Sequence, residues 1–150
     1  MSQLNHIHFE SVGHNLEPCL DLMRAYYEFD AIDFDPVRAR RALEQMLRED
    51  HGRAWIVQLE GKPAGYVVVL WGFSLEYGGR VLEIDELFIR TEFRGLGLGR
   101  AILEFVEAQA RGVGAVVLTL ETEPENEIAQ TFYGRHGFTK LERQVMRKRL

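Results

Sequence analysis

The chain has 150 residues, of which 46% are hydrophobic and 27% charged, with a formal net charge of -5. That length suits one domain over residues 1–150 with a core of its own, and the aromatic content excludes a disordered chain. The single cysteine, Cys19, excludes an internal disulfide and fits a reducing, cytoplasmic setting, while the negative balance argues against nucleic acid as partner.

Taken in chain order, His6 to Val12 alternates apolar and polar residues and is expected as a first strand. Asn15-Leu16-Glu17-Pro18 starts a helix, with Leu16, Leu20, Met23 and Tyr27 at helical spacing. Asp35-Pro36 starts a second, with Ala39, Ala42, Leu43, Met46 and Leu47 on one face and Gly52 read as the residue just past its end. Strands follow over Ala54 to Leu59, Ala64 to Phe73 and Val81 to Arg90, the second apolar enough to be buried on both faces. Gly97 to Arg111 reads as a helix with Gly112 beyond it, Val116 to Leu120 as a strand, Glu125 to His136 as a helix stopped at Gly137, and Lys140 to Lys148 as a last strand. No run of apolar residues is long enough to span a membrane. Met1 to Glu10 lacks the basic-then-apolar pattern of a secretory signal. The order β-α-α-β-β-β-α-β-α-β predicts an α+β fold, a mixed sheet with helices packed on it.

The segment richest in chemistry is Glu86-Leu87-Phe88-Ile89-Arg90-Thr91-Glu92-Phe93-Arg94-Gly95-Leu96-Gly97-Leu98-Gly99-Arg100. A strand runs into glycines that open a helix, and the N–H groups of such a turn, with the positive end of the helix dipole, form an anion site. It is not a phosphate loop of the Gly-Lys-Ser/Thr kind, because Gly99-Arg100-Ala101 lacks that ending. Nor is it a Gly-x-Gly-x-x-Gly dinucleotide fingerprint, since Arg100 or Ile102 stands where a third glycine belongs. Within the preceding strand, Leu82 and Ile84 share one parity and Leu87 and Ile89 the other. A one-residue slip at Asp85-Glu86 would restore a single apolar face, which predicts a β-bulge there.

Arg94-x-x-Gly97-x-Gly99 resembles the acyl-CoA pyrophosphate loop of the GNAT superfamily of N-acetyltransferases. Asn126-Glu127-Ile128-Ala129-Gln130-Thr131-Phe132-Tyr133-Gly134-Arg135-His136-Gly137-Phe138 resembles that family's Asn-x-x-Ala-x-x-Phe-Tyr-x-x-x-Gly-Phe segment, in the same order. The resemblance is good from about Gly65 to Leu150. It implies a central, mostly antiparallel, twisted sheet flanked by helices, with acetyl-CoA as co-substrate and a small-molecule primary amine as acceptor. On this resemblance Arg94 and the N–H groups of Gly95, Gly97, Leu98, Gly99 and Arg100 hold the pyrophosphate, the edge at Phe88 and Ile89 pairs with the pantetheine amides, and Asn126 touches the same arm. Tyr133 would protonate the leaving thiolate. Glu83, Asp85 and Glu86 stand at the family's general-base positions, Glu83 and Asp85 first among them. An alkylamine near pKa 10.4 needs such a base, because it is protonated at neutral pH.

Trp71, Phe73 and Tyr77 are expected to border the acceptor pocket, and Glu76 with the strand acids points to a small cationic amine. The alternatives are a protein N-terminus or lysine side chain as acceptor, or a non-catalytic acyl-CoA-binding module. His6, His8, His14, His51 and His136 show no metal spacing, so no metal is expected. Members of the resembled family often pair as homodimers through their last strands, and the residues do not decide it. The basic tail Arg143, Arg147, Lys148, Arg149 is read as blunting an edge strand.

Overall fold

Residues 6–150 are described by the computed structural model. They fall into two compact units, one ending at Leu120 and the other spanning Glu121–Leu150. The first unit runs β1 (Ile7–Ser11), α1 (Glu17–Phe29), α2 (Pro36–Arg48), β2 (Gly52–Leu59), β3 (Lys62–Ser74), β4 (Gly79–Ile89), a short turn of 3-10 helix at Thr91–Phe93, α3 (Leu98–Gly112) and β5 (Val117–Leu120). The five strands form one sheet in chain order. Every neighbouring pair is antiparallel except β4 and β5, which are parallel.

Local chemistry starts and stops the helices. Asp35 caps α2 by accepting from the N–H groups of Val37 and Arg38, both at 3.0 Å, and Pro36 supplies a preset φ where no N–H is needed. Gly52 does not stop that helix. The left-handed residue at its end is Asp50 (φ 57°), and His51 N–H reaches back to the Met46 carbonyl at 3.0 Å, a Schellman closure. Gly52 is instead the first residue of β2, and a side chain there would sit 2.1 Å from the Val69 carbonyl oxygen. Gly112 likewise belongs to α3, and the stop is Gly114 (φ 71°). A glycine needed for close approach and one needed for a helix stop look alike in sequence.

Cross-strand partners share a face of the sheet, so the register sorts the core. One face carries Val57, Val67, Val69, Leu82 and Ile84, all buried. Helix α3 packs there, because its Phe105 stacks on Phe9 at 4.0 Å and meets Trp55 edge-on at 5.2 Å. The other face carries Ala54, Ile56, Tyr66, Val68 and Phe88 in one cluster with Cys19, Leu22 and Met23 of α1 and Ala39 and Leu43 of α2.

The second unit holds α4 (Glu127–Arg135). Asn126 caps it by accepting from Ala129 N–H at 3.1 Å. At the other end Gly137 takes φ 89°. Its N–H donates to the Gly134 carbonyl (3.2 Å) and that of Phe138 to the Tyr133 carbonyl (3.1 Å). The Phe138 ring then lies 5.6 Å from the Tyr133 ring. The Gly-Phe ending of the segment is thus a Schellman motif with its apolar contact. The strand expected over Lys140 to Lys148 is not formed: residues 139–150 carry no regular structure and are exposed. A strand needs a partner ladder, and this unit contains no other strand.

Candidate active site

Strand β4 delivers the glycine loop. Arg90 N–H still bonds back to the Ala64 carbonyl of β3 at 2.8 Å, and the chain then turns through Thr91–Phe93. Gly97 sits in the left-handed region at φ 83°, ahead of the first residue of α3, with no side-chain cap. Only glycine takes that conformation without strain. The first helical bond is Ala101 N–H to the Gly97 carbonyl at 3.1 Å. The N–H groups of Leu98, Gly99 and Arg100 therefore have no acceptor within the helix, and they lie at its positive end.

Arg94 is held beside this loop. Its Nε donates to the Ile89 carbonyl at 2.9 Å, and its guanidinium lies 4.2 Å over the Phe29 ring and 5.8 Å from that of Phe88. The Arg100 side chain turns away to Glu104 at 2.7 Å, so Arg100 offers the loop its backbone. A cradle of N–H groups beside one fixed cation is what a pyrophosphate requires.

The edge next to the loop is open. β5 pairs with β4 only over Val81–Ile84, so among the described residues no strand pairs with that side of β4 from Asp85 to Ile89. Because Arg90 bonds toward β3, ladder alternation turns the polar groups of Leu87 and Ile89 toward the open side. The bulge foreseen from parity is present. Ile84 pairs with Val69 and Glu86 with the adjacent Val68, which leaves Asp85 without a rung. Leu82, Ile84, Leu87 and Ile89 consequently share a face, and Glu83 and Glu86 share the opposite one.

That opposite face carries a cavity of about 480 Å³ between α1, α2 and the sheet. Val68 and Leu70 form its floor, Leu43 and Met46 of α2 and Tyr27 of α1 its walls, with Asp35, Arg38 and His51 also lining it. Asp85 and Glu86 reach it, whereas Glu83 is absent from its lining. Trp71, Phe73 and Tyr77 are absent as well. Phe73 is 73% exposed at the β3–β4 hairpin, and Trp71 lies under the Arg53 guanidinium. The hairpin aromatics thus do not border this cavity: Trp71 and Phe73 share the parity of Val67 and Val69 and face the other side of the sheet, and Tyr77 lies in the turn beyond β3.

The Glu86 carboxyl is shifted by its surroundings. Burial pushes its carboxyl above the ordinary range, and the charge of Asp85 adds to this. Hydrogen bonds from Tyr27 and Tyr66 work the other way. The Tyr66 hydroxyl donates to Glu86 Oε1 at 3.3 Å. Burial and the nearby Glu86 raise both phenols, and the Cys19 thiol rises to about 12 for the same two reasons. Sequence reasoning placed Tyr27 on an apolar stripe and gave Tyr66 no role. What marks them is their approach to Glu86, a tertiary fact.

In the second unit, α4 carries both residues, Asn126 as its cap and Tyr133 in its last turn. The Tyr133 ring lies against Phe132 at 5.3 Å, and burial raises its phenol. Among the described residues no group of three or more His, Cys, Asp or Glu side chains is arranged to hold a metal ion. Among the same residues no helix is long and apolar enough to cross a membrane.

The model of the Acetyltransferase (GNAT) family matches residues 16–138. An uncharacterised N-acetyltransferase of Methanocaldococcus jannaschii is 30% identical over 132 residues, 85% of this chain and 58% of the relative. The aminoalkylphosphonate N-acetyltransferase of Salmonella typhimurium is 31% identical over 78 residues, 52% of this chain and 51% of the relative. The chain thus spans little more than half the length of these curated relatives. Among solved structures, an integron cassette protein from the mobile metagenome of a salt marsh superposes with a TM-score of 0.83 at 30% identity, covering 95% of this chain and 90% of that one. An aminoglycoside N-acetyltransferase in complex with a CoA bisubstrate analogue shares the fold, with a TM-score of 0.80 at 22% identity over 97% of this chain and 100% of that one.

Proposed function

Since the chain belongs to the acetyltransferase (GNAT) family, we propose that it transfers an acetyl group from acetyl-CoA to a primary amine by direct attack, and that the acceptor is a small cationic amine. The observation that carries this is one strand, β4, that serves both ends of the reaction. Its bulge presents two carboxylates to a cavity, and its C-terminal end leads into the anion cradle. The family match runs across both compact units, which supports reading them as parts of one domain.

The residues divide the work by position. Arg94 and the N–H groups from Gly95 to Arg100 would hold the pyrophosphate, while the open edge beside Phe88, through the polar groups of Leu87 and Ile89, would take the pantetheine amides, with Asn126 touching the same arm. The thioester supplies an activated acyl carbon. Glu86 is the base: its carboxylate takes a proton from the ammonium, directly or through a water, and frees the nitrogen lone pair. Asp85 and Glu83, the carboxylates first in line from sequence, keep the potential around the amine negative. As the carbon–nitrogen bond forms and the carbon–sulfur bond breaks, Tyr133 gives its proton to the sulfur. A phenol raised by burial keeps that proton until the thiolate needs it.

Support for a small acceptor comes from the cavity size, which lies within the range of small-molecule sites, and from relatives named for aminoalkylphosphonates and aminoglycosides. The single buried cysteine supports a reducing, cytoplasmic setting. The test is thiol release from acetyl-CoA against a panel of amines and peptides. Turnover with a small amine, falling about 10²- to 10⁴-fold in Tyr133→Phe, is the expected result. Turnover with peptides alone would move the acceptor to a protein, and CoA binding without turnover would leave a binding module.

A further inference from the structure

The Glu86 carboxyl is gripped from two elements by phenols that the reaction scheme above leaves without a task. Tyr66 of β3 is wholly buried, and its hydroxyl donates to Oε1 at 3.3 Å. Tyr27, near the end of α1, donates to the same carboxyl and also lines the cavity. The other groups facing this carboxyl are few. Asp85 adjoins it on β4, Cys19 and Tyr26 face it from α1, and Asp35, Arg38 and His51 line the cavity from the α2 side. Burial and Asp85 both favour the protonated acid, which could accept nothing from an ammonium. A buried carboxylate survives as a base only if donors hold the charge. Cys19 and Tyr26, each raised to about 12, remain neutral and bring no competing charge.

We propose that Tyr27 and Tyr66 are positioning residues of the acetyl transfer, two neutral donors that keep the Glu86 carboxyl charged and fixed at the wall of the acceptor cavity. The proposal rests on Glu86 as the base. The phenols are suited to it because their own protons are held tightly, so they donate across the physiological range. Losing either donor leaves burial and Asp85 less opposed, and the carboxyl then takes up its proton at higher pH.

The test is the pH profile of kcat/KM for the amine in Tyr27→Phe and Tyr66→Phe, with the KM for acetyl-CoA followed alongside. The acidic limb is expected to move to higher pH in each variant. The rate at neutral pH should fall about tenfold, as for loss of one bond to a charged group, and recover at alkaline pH with an unchanged acetyl-CoA KM. A uniform loss at every pH, with the limb where the unaltered protein has it, would overturn the proposal. Tyr66 is buried, so if Tyr66→Phe fails to fold, Tyr27→Phe carries the test alone. A second readout is independent of turnover: the carbon-13 titration of the Glu86 carboxyl, assigned by its absence in Glu86→Gln. It should shift upward in Tyr27→Phe, and an unshifted titration would equally overturn the proposal. If Glu86→Gln keeps the full rate and limb, the base assignment itself fails, and the titration still reports whether the phenols hold the carboxyl.

Discussion

The two faces of the sheet are built from the same strands to a similar depth, yet they are made of different chemistry. Toward α3 lie Val57, Val67, Val69, Leu82 and Ile84, closed by Ile102, Leu103 and Val106, all buried and all apolar. Toward α1 and α2 the same strands present Tyr66, Val68 and Glu86, beside Cys19, and the helices stand off far enough to leave a cavity. The first face can be optimised for packing alone. The second must keep a carboxylate where water is scarce, which opposes stability. Cohesion and chemistry are divided between the faces of a single sheet.

The sharpest probe of that division is Glu86→Gln. Its rate should fall about 10²- to 10⁴-fold as the base is lost, while its melting temperature at neutral pH rises. The sign follows from linkage. The folded-state pKa of Glu86 lies above its unfolded value, so folding binds a proton there, and the fold loses stability as pH climbs through that interval. Thermal melts should therefore separate variant and parent above the interval and merge below it. A variant no more stable than its parent at pH 8 would break the comparison.

Val67 and Val68 give the next test, because they are adjacent and point to opposite faces. Each Val→Ala change deletes buried methyl groups, and Val67→Ala should lose about 2 kcal/mol by denaturant unfolding with an unaltered acceptor KM. Val68→Ala, at the cavity floor, should lose less stability and shift the acceptor KM several-fold. Equal kinetic effects from the two would show that the faces are coupled.

The smallest effect is expected at the end of α1. Ala31 holds φ 54°, with Ile32 N–H closing onto the Tyr27 carbonyl at 2.8 Å. Ala31→Gly relieves a left-handed strain that glycine does not feel and should stabilise the fold by about 0.5–1 kcal/mol. An unchanged or lowered melting temperature would mean that the strain is already compensated at this helix end.

Which parts were legible in the sequence follows from the range of the forces involved. Asp35-Pro36 foretold the start of α2, because a cap and a preset φ act within three residues. The bulge at Asp85 was legible because period-2 parity is local. The loop Arg94 to Arg100 was legible because glycines that open a helix do so through their own backbone. The expected strand at 140–148 failed because pairing is decided by a partner elsewhere. Gly52 was misread because its constraint is the Val69 carbonyl on another strand. Trp71, Phe73 and Tyr77 stand outside the lining of the cavity because only the approach of α1 and α2 to β4 decides which face of the sheet encloses space. Tyr27 and Tyr66 escaped notice for that reason.

The bulge also bears on how such a strand could be gained or lost. The ten β3–β4 pairs run without a gap on the β3 side, from Gly65 with Ile89 to Ser74 with Gly79, and Asp85 alone stands outside them. Excising Asp85 would leave every other residue of β4 opposite its present neighbour, with no side chain sent to the other face. One inserted codon is then the whole structural distance between a plain ladder and a strand kinked beside an open edge. At this point in the fold a single-residue insertion is a smaller step than most substitutions, since it adds a reactive corner and rewrites no address.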